Sequence, residues 1–290
     1  MSTAETFALD ETGKIDITDI YNKPDPRRYY STLRDLEYQI PETAKPVFQR
    51  VISAYRHAHE KEKVRVLDVG CSYGVNAAIL KCDLEMDQLY DLYASQAGRS
   101  TQRDQLLAHD QTLMEEHIKD AELEVVGLDI SKSAIDYAVA AHLLDDGVAA
   151  NLEAGAPPPE AAAVLDEADL VISTGCIGYV GKKTMKGILD ANAPRRPWMA
   201  HFVLRMFPFD EIGTMLEDFG YVTEKVENQT FVQRRFASED EREHVLQRLS
   251  ELGIDASGLE AEGWYHAEAF ISRPAEDQAA TSIGELAPSA

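Results

Sequence analysis

The sequence predicts an α/β fold built on a largely parallel sheet. The runs 64–69 and 124–129 are apolar, and each has an acidic residue at or near its end. Buried parallel strands beside a ligand site share this pattern. Further strand patterns alternate with helical patterns along the chain, which favours parallel pairing. The 290 residues are 44% hydrophobic, enough for one sizeable core.

The first predicted strand, 64–69, continues into a turn of small residues and then into a helix. Gly70 and Gly74 suit a tight turn and a close approach of ligand to backbone, and Ser72 between them is also small. A strand–turn–helix of this kind presents backbone N–H groups to a ligand. Asp68, two positions before Gly70, stands where it can receive a cation.

This segment resembles the cofactor loop of class I S-adenosylmethionine-dependent methyltransferases, whose usual form is acid-x-Gly-x-Gly-x-Gly. Ser72 replaces the middle glycine here. The resemblance implies a Rossmann-like, seven-stranded and mostly parallel sheet with helices on both faces. It also implies S-adenosylmethionine as the cofactor, with its ammonium group at Asp68 and its carboxylate at the helix start. The loop residues expected to bind it are Asp68, Gly70, Cys71, Ser72 and Gly74.

The second acid, Asp129, ends the run 124–129. In Rossmann-like sites an acid at this place binds the two ribose hydroxyls, and Ile130 beside it would pack on the adenine. Asp129 comes much later than the roughly 20 residues that usually separate this acid from the glycine loop. Two helical patterns fill the interval, so 82–121 is interpreted as a helical insertion that covers the cofactor site or forms a subunit interface. The alternative is a long first helix with a broken extension.

The remaining elements follow in the order that the resemblance implies. The fourth strand ends at Thr174, beside the methionine part of the cofactor, and Asn151 or the Leu152 backbone meets the adenine. The Asn-Pro-Pro-Tyr signature of amino-methylating members is absent, which weakens base or glutamine methylation. Strands are predicted at 148–152, 168–174, 199–205, within 221–235 and at 264–272, and helices at 74–81, 132–143, 182–191, 210–218 and 239–252.

Candidates for catalysis and substrate binding come from three parts of the chain. Tyr179 after the fourth strand and His201 within the fifth are the candidate bases, with packing as the alternative for both. Tyr21, Arg28 and Tyr29 of the N-terminal segment would cap the pocket. Arg205, with Arg234 and Arg235, suggests an anionic acceptor, unless these arginines only neutralise nearby carboxylates.

Composition limits the partners. A net charge of −23 disfavours nucleic acid and anionic membrane surfaces. No apolar run reaches the length of a membrane span, and the start of the chain lacks a signal-peptide core, so a cytoplasmic protein is expected. Three cysteines without paired spacing indicate neither disulfides nor a metal site. The predicted organisation is a disordered 1–13, a helical capping segment 14–63, a methyltransferase domain 64–274 and a disordered tail 275–290.

The function predicted from these observations is transfer of a methyl group to an oxygen, nitrogen or sulfur atom of a small molecule. One alternative is an NAD(P)-dependent Rossmann oxidoreductase, although Gly70-Cys71-Ser72-Tyr73-Gly74-Val75 fits its Gly-x-Gly-x-x-Gly loop poorly. Another is a non-catalytic relative that binds the cofactor. A homodimer would use the insertion or the N-terminal segment.

Overall fold

A computed structural model describes residues 8–94, 101–278 and 281–287 of the chain. Its centre is a single sheet in which apolar side chains alternate between the two faces, as the pleat of a strand requires. The strands are β1 (Val64–Val69), β2 (Leu123–Asp129), β3 (Asp146–Ala149), β4 (Leu170–Thr174), β5 (Trp198–Leu204), β6 (Tyr221–Lys225), β7 (Phe231–Arg235) and β8 (Trp264–Pro274).

The strand order along the sheet is β3-β2-β1-β4-β5-β8-β6. The pairs from β3 to β5 are parallel, whereas β8 is antiparallel to both β5 and β6. The predicted seven-stranded, mostly parallel sheet is therefore confirmed. An eighth strand, β7, pairs with the first part of β8, because β8 is long enough to carry β7 and β6 one after the other.

Helices cover both faces of the sheet. On one face lie the N-terminal helices and the insertion, and on the other lie the helices between β3 and β6. The helices are α1 (Thr18–Tyr21), α2 (Arg27–Asp35), α3 (Ile40–Ala58), α4 (Val75–Cys82), α5 (Met86–Ala94), α6 (Arg103–His117), α7 (Lys132–Ala140), α8 (Pro159–Leu165), α9 (Lys182–Asn192), α10 (Asp210–Asp218), α11 (Glu239–Glu251), α12 (Ala275–Gln278) and α13 (Ile283–Leu286), with a 3₁₀ turn at Glu260–Glu262.

The insertion contains two separate helices, α5 and α6, rather than one long first helix. Helix α4 ends at Cys82, and the φ of +56° at Asp83 takes the chain out of the helix. In the insertion the Tyr93 ring stacks on Tyr30, and its hydroxyl donates to buried Asp110, which also accepts from Tyr137. The insertion is thereby fastened to α2 and to α7. The sequence also predicts a break between the two helical patterns at 98–101, of which residues 98–100 lie outside the described residues.

Parts of both chain ends that were predicted to be disordered make contacts with the rest of the fold. Leu9 pairs with Ile15 around a turn held by the Asp10 carboxylate. At the other end, Trp198 donates to Asp277, and Leu286 is buried. Residues 1–7, 279–280 and 288–290 lie outside the described residues.

The third strand begins and ends earlier than predicted. It covers 146–149 instead of 148–152, because the chain turns at Asn151, whose side-chain oxygen accepts the N–H of Glu153. A side chain that caps its own turn in this way competes with the strand ladder.

Candidate functional site

The loop after β1 adopts left-handed backbone conformations that explain its small residues. The φ angles of Gly70, Ser72 and Gly74 are +73°, +49° and +78°. A Cβ on Gly70 would stand 2.7 Å from the Cβ of Cys176, which follows β4. Glycine is thus required at position 70 both by conformation and by space. The loop leads into α4, whose first N–H groups face the carboxyl edge of the sheet.

Asp129 binds the same loop from the end of β2. One carboxylate oxygen accepts the N–H of Ser72 and the other accepts the N–H of Ser131, each at 2.9 Å. A carboxylate has about four acceptor positions, so the bonds to the backbone leave acceptor capacity for a ligand. Burial raises the pKa of Asp129, and these backbone bonds partly offset that rise. Beside it Ile130 is 71% exposed, an apolar side chain left uncovered at the rim.

Asp68 lies fully buried beneath the loop. The amide nitrogen of Asn76, on α4, donates to both carboxylate oxygens at 3.0 and 3.2 Å and also reaches the Thr174 hydroxyl at 3.2 Å. Burial raises the pKa of Asp68 to about 7, against the opposing effect of Asn76. Near neutral pH the Asp68 carboxyl group is therefore only partly ionised, and a nearby cation would favour its ionised form.

Three buried polar atoms around this edge have no hydrogen-bond partner among the described residues. They are Ser72 Oγ, Asn76 Oδ1 and Gln233 Oε1. Gln233 comes from β7, and its amide lies so close to Gly175 that a Cβ there would be 2.2 Å from Nε2. Buried polar atoms are normally satisfied, so a group of unpaired ones around the glycine loop indicates a place for a ligand.

Residues 8–23, here called the N-terminal strap, cross the carboxyl edge of the sheet. At one end the Tyr179 hydroxyl donates to Asp10. Farther along, the Ser131 hydroxyl donates to the Tyr21 carbonyl at 2.5 Å, and the Tyr73 hydroxyl donates to the Lys23 carbonyl at 2.8 Å. The strap thus bridges the loops that follow β4, β2 and β1.

The strap is anchored by a buried ion pair. Arg234 of β7 binds Glu241 of α11 through two nitrogens, at 2.7 and 3.0 Å. Glu241 also accepts the N–H of Ile15 at 2.8 Å and the hydroxyl of Tyr265 at 3.1 Å. Arg235 likewise pairs with Glu37 at the surface. Both pairs agree with the alternative prediction that these arginines neutralise nearby carboxylates.

The aromatic residues predicted to cap the pocket occupy different depths. Tyr21 is half-buried, and burial raises its pKa to about 12. Tyr29 is 2% exposed and packs edge-to-face between Tyr21 and Tyr30, so it supports the strap from beneath. Arg28 lies exposed on α2. A further phenol, Tyr38, is half-buried, and burial raises its pKa, whereas hydrogen bonding to Thr174 and Tyr29 lowers it.

Two predicted site residues lie elsewhere. Arg205 was expected to face the ligand edge, but its side chain is 8% exposed and paired with Glu260 of the 3₁₀ turn, against β8. His201, a predicted base, is fully buried between β4 and β8, where its Nδ1 bonds the Ser173 hydroxyl at 2.8 Å. Burial lowers its pKa to about 4. His201 is therefore a neutral core residue.

The remaining predictions concern Tyr179, metal ligands and membrane spans. Tyr179 is 47% exposed, with its hydroxyl engaged by the strap. Within the described ranges, no three His, Cys, Asp or Glu side chains are grouped as metal ligands, and no helix has the length and apolar character to span a bilayer.

Comparison with known proteins yields similar folds only. No family model and no curated protein matches the chain. It is similar to the plantazolicin methyltransferase BamL in complex with a triazolic desmethylPZN analog and SAH. The two chains are 11% identical, the match covers 80% of this chain and 85% of that chain, and the TM-score is 0.43. It is also similar to a SAM-dependent methyltransferase from Geobacter sulfurreducens with S-adenosyl-L-homocysteine (13% identity, 86% and 98% covered, TM-score 0.38) and to one from Aquifex aeolicus (13%, 89% and 99%, 0.37). At identities this low, the function has to be inferred from the chain's own residues.

Several residues at this edge were not predicted from the sequence. Asn76 follows the glycine loop by two positions and could have been found there, because the first turn of α4 faces the end of β1. Lys14, Tyr38 and Gln233 carry no local signal, since only the folded chain brings them to the carboxyl edge.

Proposed function

We propose that this chain is an S-adenosylmethionine-dependent methyltransferase that acts on a small molecule. The observation that carries the proposal is the carboxyl edge of β1, β2 and β4. It combines a left-handed glycine loop, a loop-bound carboxylate with spare acceptor positions at Asp129, and a buried carboxylate at Asp68 beside an unpaired amide oxygen of Asn76.

The residues present fit each polar part of this cofactor. An ammonium group would satisfy Asn76 Oδ1 and a carboxylate oxygen of Asp68, and it would favour the ionised form of Asp68. The start of α4 suits a carboxylate. The free acceptor positions of Asp129 suit two ribose hydroxyls. Exposed Ile130 offers an apolar surface for the adenine.

The adenine amino group is better assigned to the Leu152 backbone than to the Asn151 side chain. The side-chain oxygen of Asn151 already accepts the N–H of Glu153, and this bond holds the turn after β3. Thr174, bound to Asn76 at the end of β4, remains in position for the methionine part.

When bound, S-adenosylmethionine supplies an activated methyl group. The chain's task is then to position an acceptor and to exclude water. The strap serves the second purpose, because it covers the loops after β1, β2 and β4. His201 is neutral and enclosed in the core, and the Tyr179 hydroxyl donates to Asp10 while burial raises its pKa, so neither candidate base is free to accept a proton near neutral pH. We therefore infer an acceptor atom that is already unprotonated near neutral pH, such as a carboxylate oxygen or a thiolate sulfur.

The arrangement of β8 favours this function over the oxidoreductase alternative. Dinucleotide-binding sheets have the strand order 3-2-1-4-5-6 and are mostly parallel. Here the antiparallel β8 lies between β5 and β6. The resemblance to class I methyltransferases implies a last strand that is antiparallel to the others, and β8 corresponds to it.

Calorimetric titration tests the cofactor assignment. We expect S-adenosylmethionine and S-adenosylhomocysteine to bind at micromolar concentration and NAD(H) to bind far more weakly. Asp129→Ala should abolish binding, whereas Asp136→Ala, which removes an exposed carboxylate of α7, should leave it unchanged. Tighter binding of NAD(H), or binding that survives Asp129→Ala, would overturn the assignment. Cofactor binding without methyl transfer to any small-molecule pool would support the non-catalytic alternative.

A further inference from the structure

Lys14 differs from the arginines that the sequence suggested for an anionic acceptor because its charge has no carboxylate partner among the described residues. Arg205, Arg234 and Arg235 each have a carboxylate partner. Across the described residues, Lys14 is the only half-buried lysine or arginine whose head group has no carboxylate within 4.0 Å. In a chain with a net charge of −23, a half-buried cation without a counter-charge is unexpected.

The carboxylates closest along the strap are already occupied. Asp10 accepts the backbone N–H groups of Thr12 and Lys14 and the hydroxyls of Thr12 and Tyr179. Glu241 accepts from Arg234, Ile15, Ala237 and Tyr265. Neither carboxylate can turn toward the Lys14 ammonium without giving up several of these bonds.

The position of Lys14 is fixed from both sides. The Asp10 carboxylate accepts the backbone N–H of Lys14. The N–H of the next residue, Ile15, donates to Glu241 at 2.8 Å. Its Nζ lies 4.8 Å from the centre of the Tyr179 ring, on the loop that follows β4. The ammonium group is therefore held at the end of β4 where the strap covers the edge, rather than moving freely in solvent.

The surroundings of Lys14 disfavour its own charge. Burial lowers its pKa to about 8, Arg234 adds to this effect, and Asp10, Glu241 and Cys176 oppose it. An anion beside the ammonium would offset the cost of burial through a charge-assisted hydrogen bond. The neighbouring rings of Tyr179 and half-buried Tyr21 would contact the body of such a molecule.

We propose that Lys14 binds a carboxylate or phosphate group of the methyl acceptor and so orients the acceptor under the strap. The proposal rests on the proposed function, because it assigns the acceptor to the class of anionic small molecules. It replaces Arg205 with Lys14 as the residue that selects for negative charge.

Matched probes test this assignment in the full chain saturated with S-adenosylhomocysteine. Benzoate and benzamide have nearly the same shape, but only benzoate carries a charge. We expect calorimetry to show benzoate binding at least about tenfold tighter than benzamide, a difference of about 1.4 kcal/mol. Lys14→Met should remove that preference, Lys14→Arg should retain it, and Lys119→Met, at an exposed lysine, should not change it. Benzoate affinity should also fall as the pH rises through about 8, where Lys14 loses its proton.

The outcomes separate this proposal from the proposed function. Equal affinity for the two probes, no benzoate binding at millimolar concentration, or an undiminished preference in Lys14→Met would overturn the role of Lys14. These results would leave the cofactor assignment intact if S-adenosylhomocysteine binds. A Lys14-dependent preference for benzoate in a chain that binds no S-adenosylhomocysteine would support the anion site and overturn the methyltransferase.

Discussion

At the scale of single residues, the burial of Asp68 sets stability against function. Its carboxylate is fully buried with one amide as partner, and burial raises its pKa to about 7. Because the folded pKa exceeds the unfolded value, ionised Asp68 costs stability. That cost grows as the pH rises from about 4 and is complete above about 7.

We expect Asp68→Asn to raise the melting temperature of the ligand-free protein by a few degrees at pH 8. The substituted amide can still pair with Asn76 and never ionises. At pH 4, where Asp68 is largely protonated, the two proteins should melt together. The same variant should weaken S-adenosylhomocysteine binding at least tenfold, because it lacks the charge for an ammonium group. Thermal scans at both pH values measure the melting temperatures, with the exposed Asp146→Asn as control. A lower melting temperature for Asp68→Asn at pH 8 would refute this account of Asp68.

The sequence could predict those site residues whose role is local. Asp68, Gly70, Gly74 and Asp129 are adjacent to strand ends, and the strand–turn–helix pattern alone places them at one edge. The partners of Arg205 and His201 could not be predicted this way. Glu260 lies 55 positions after Arg205 and Ser173 lies 28 before His201, so only the folded sheet shows that both are paired away from the site.

At the scale of elements, the glycine loop depends on β4 as well as on β1. Gly70 combines a φ of +73° with close contact to Cys176, which follows β4. The two loops are therefore packed against each other, and a change in one displaces the other.

We expect Gly70→Ala to destabilise the protein by about 1–3 kcal/mol, the usual cost of a non-glycine residue in a strained backbone conformation. The added Cβ would also press on Cys176, so Gly70→Ala/Cys176→Gly should recover part of the loss. Chemical denaturation measures both. Gly213→Ala is the matched control: it lies within α10 with open space around it, and it should stabilise the protein slightly. Equal stability of Gly70→Ala and wild type would contradict the contact.

The boundaries of elements show where prediction from the sequence ends. Helix 210–218 was predicted as observed, because Gly220 follows it and its apolar positions repeat at helical spacing. The strand predicted within 221–235 divides into β6 and β7, and no local feature showed that both would pair with β8. Order at residues 8–13 likewise depends on Tyr179 and Glu241, which are far away in the sequence.

At the scale of the whole molecule, negative charge dominates. The 51 acidic residues exceed the 28 basic ones, and many basic side chains are paired at the surface. Repulsion among the remaining carboxylates disfavours the compact state.

We expect added salt to stabilise the protein, because it screens this repulsion more than it weakens the exposed ion pairs, each of which contributes little. The melting temperature at pH 8 should rise between about 0.05 M and about 1 M NaCl. Near pH 4.5, where roughly a third of the carboxylates are protonated and the histidines are charged, the rise should be smaller. A melting temperature that falls with salt at pH 8 would show that ion pairs outweigh the repulsion.

The bond between Ile15 and Glu241 has a consequence for the order in which the protein is made. The two residues are 226 positions apart, so a chain still on the ribosome can complete β1 and its glycine loop long before Glu241 exists. The strap is synthesised before β1, but its anchor at Ile15 forms only after α11 has been added. Every nascent chain therefore passes through a stage in which the glycine loop is present and this anchor of its cover is not.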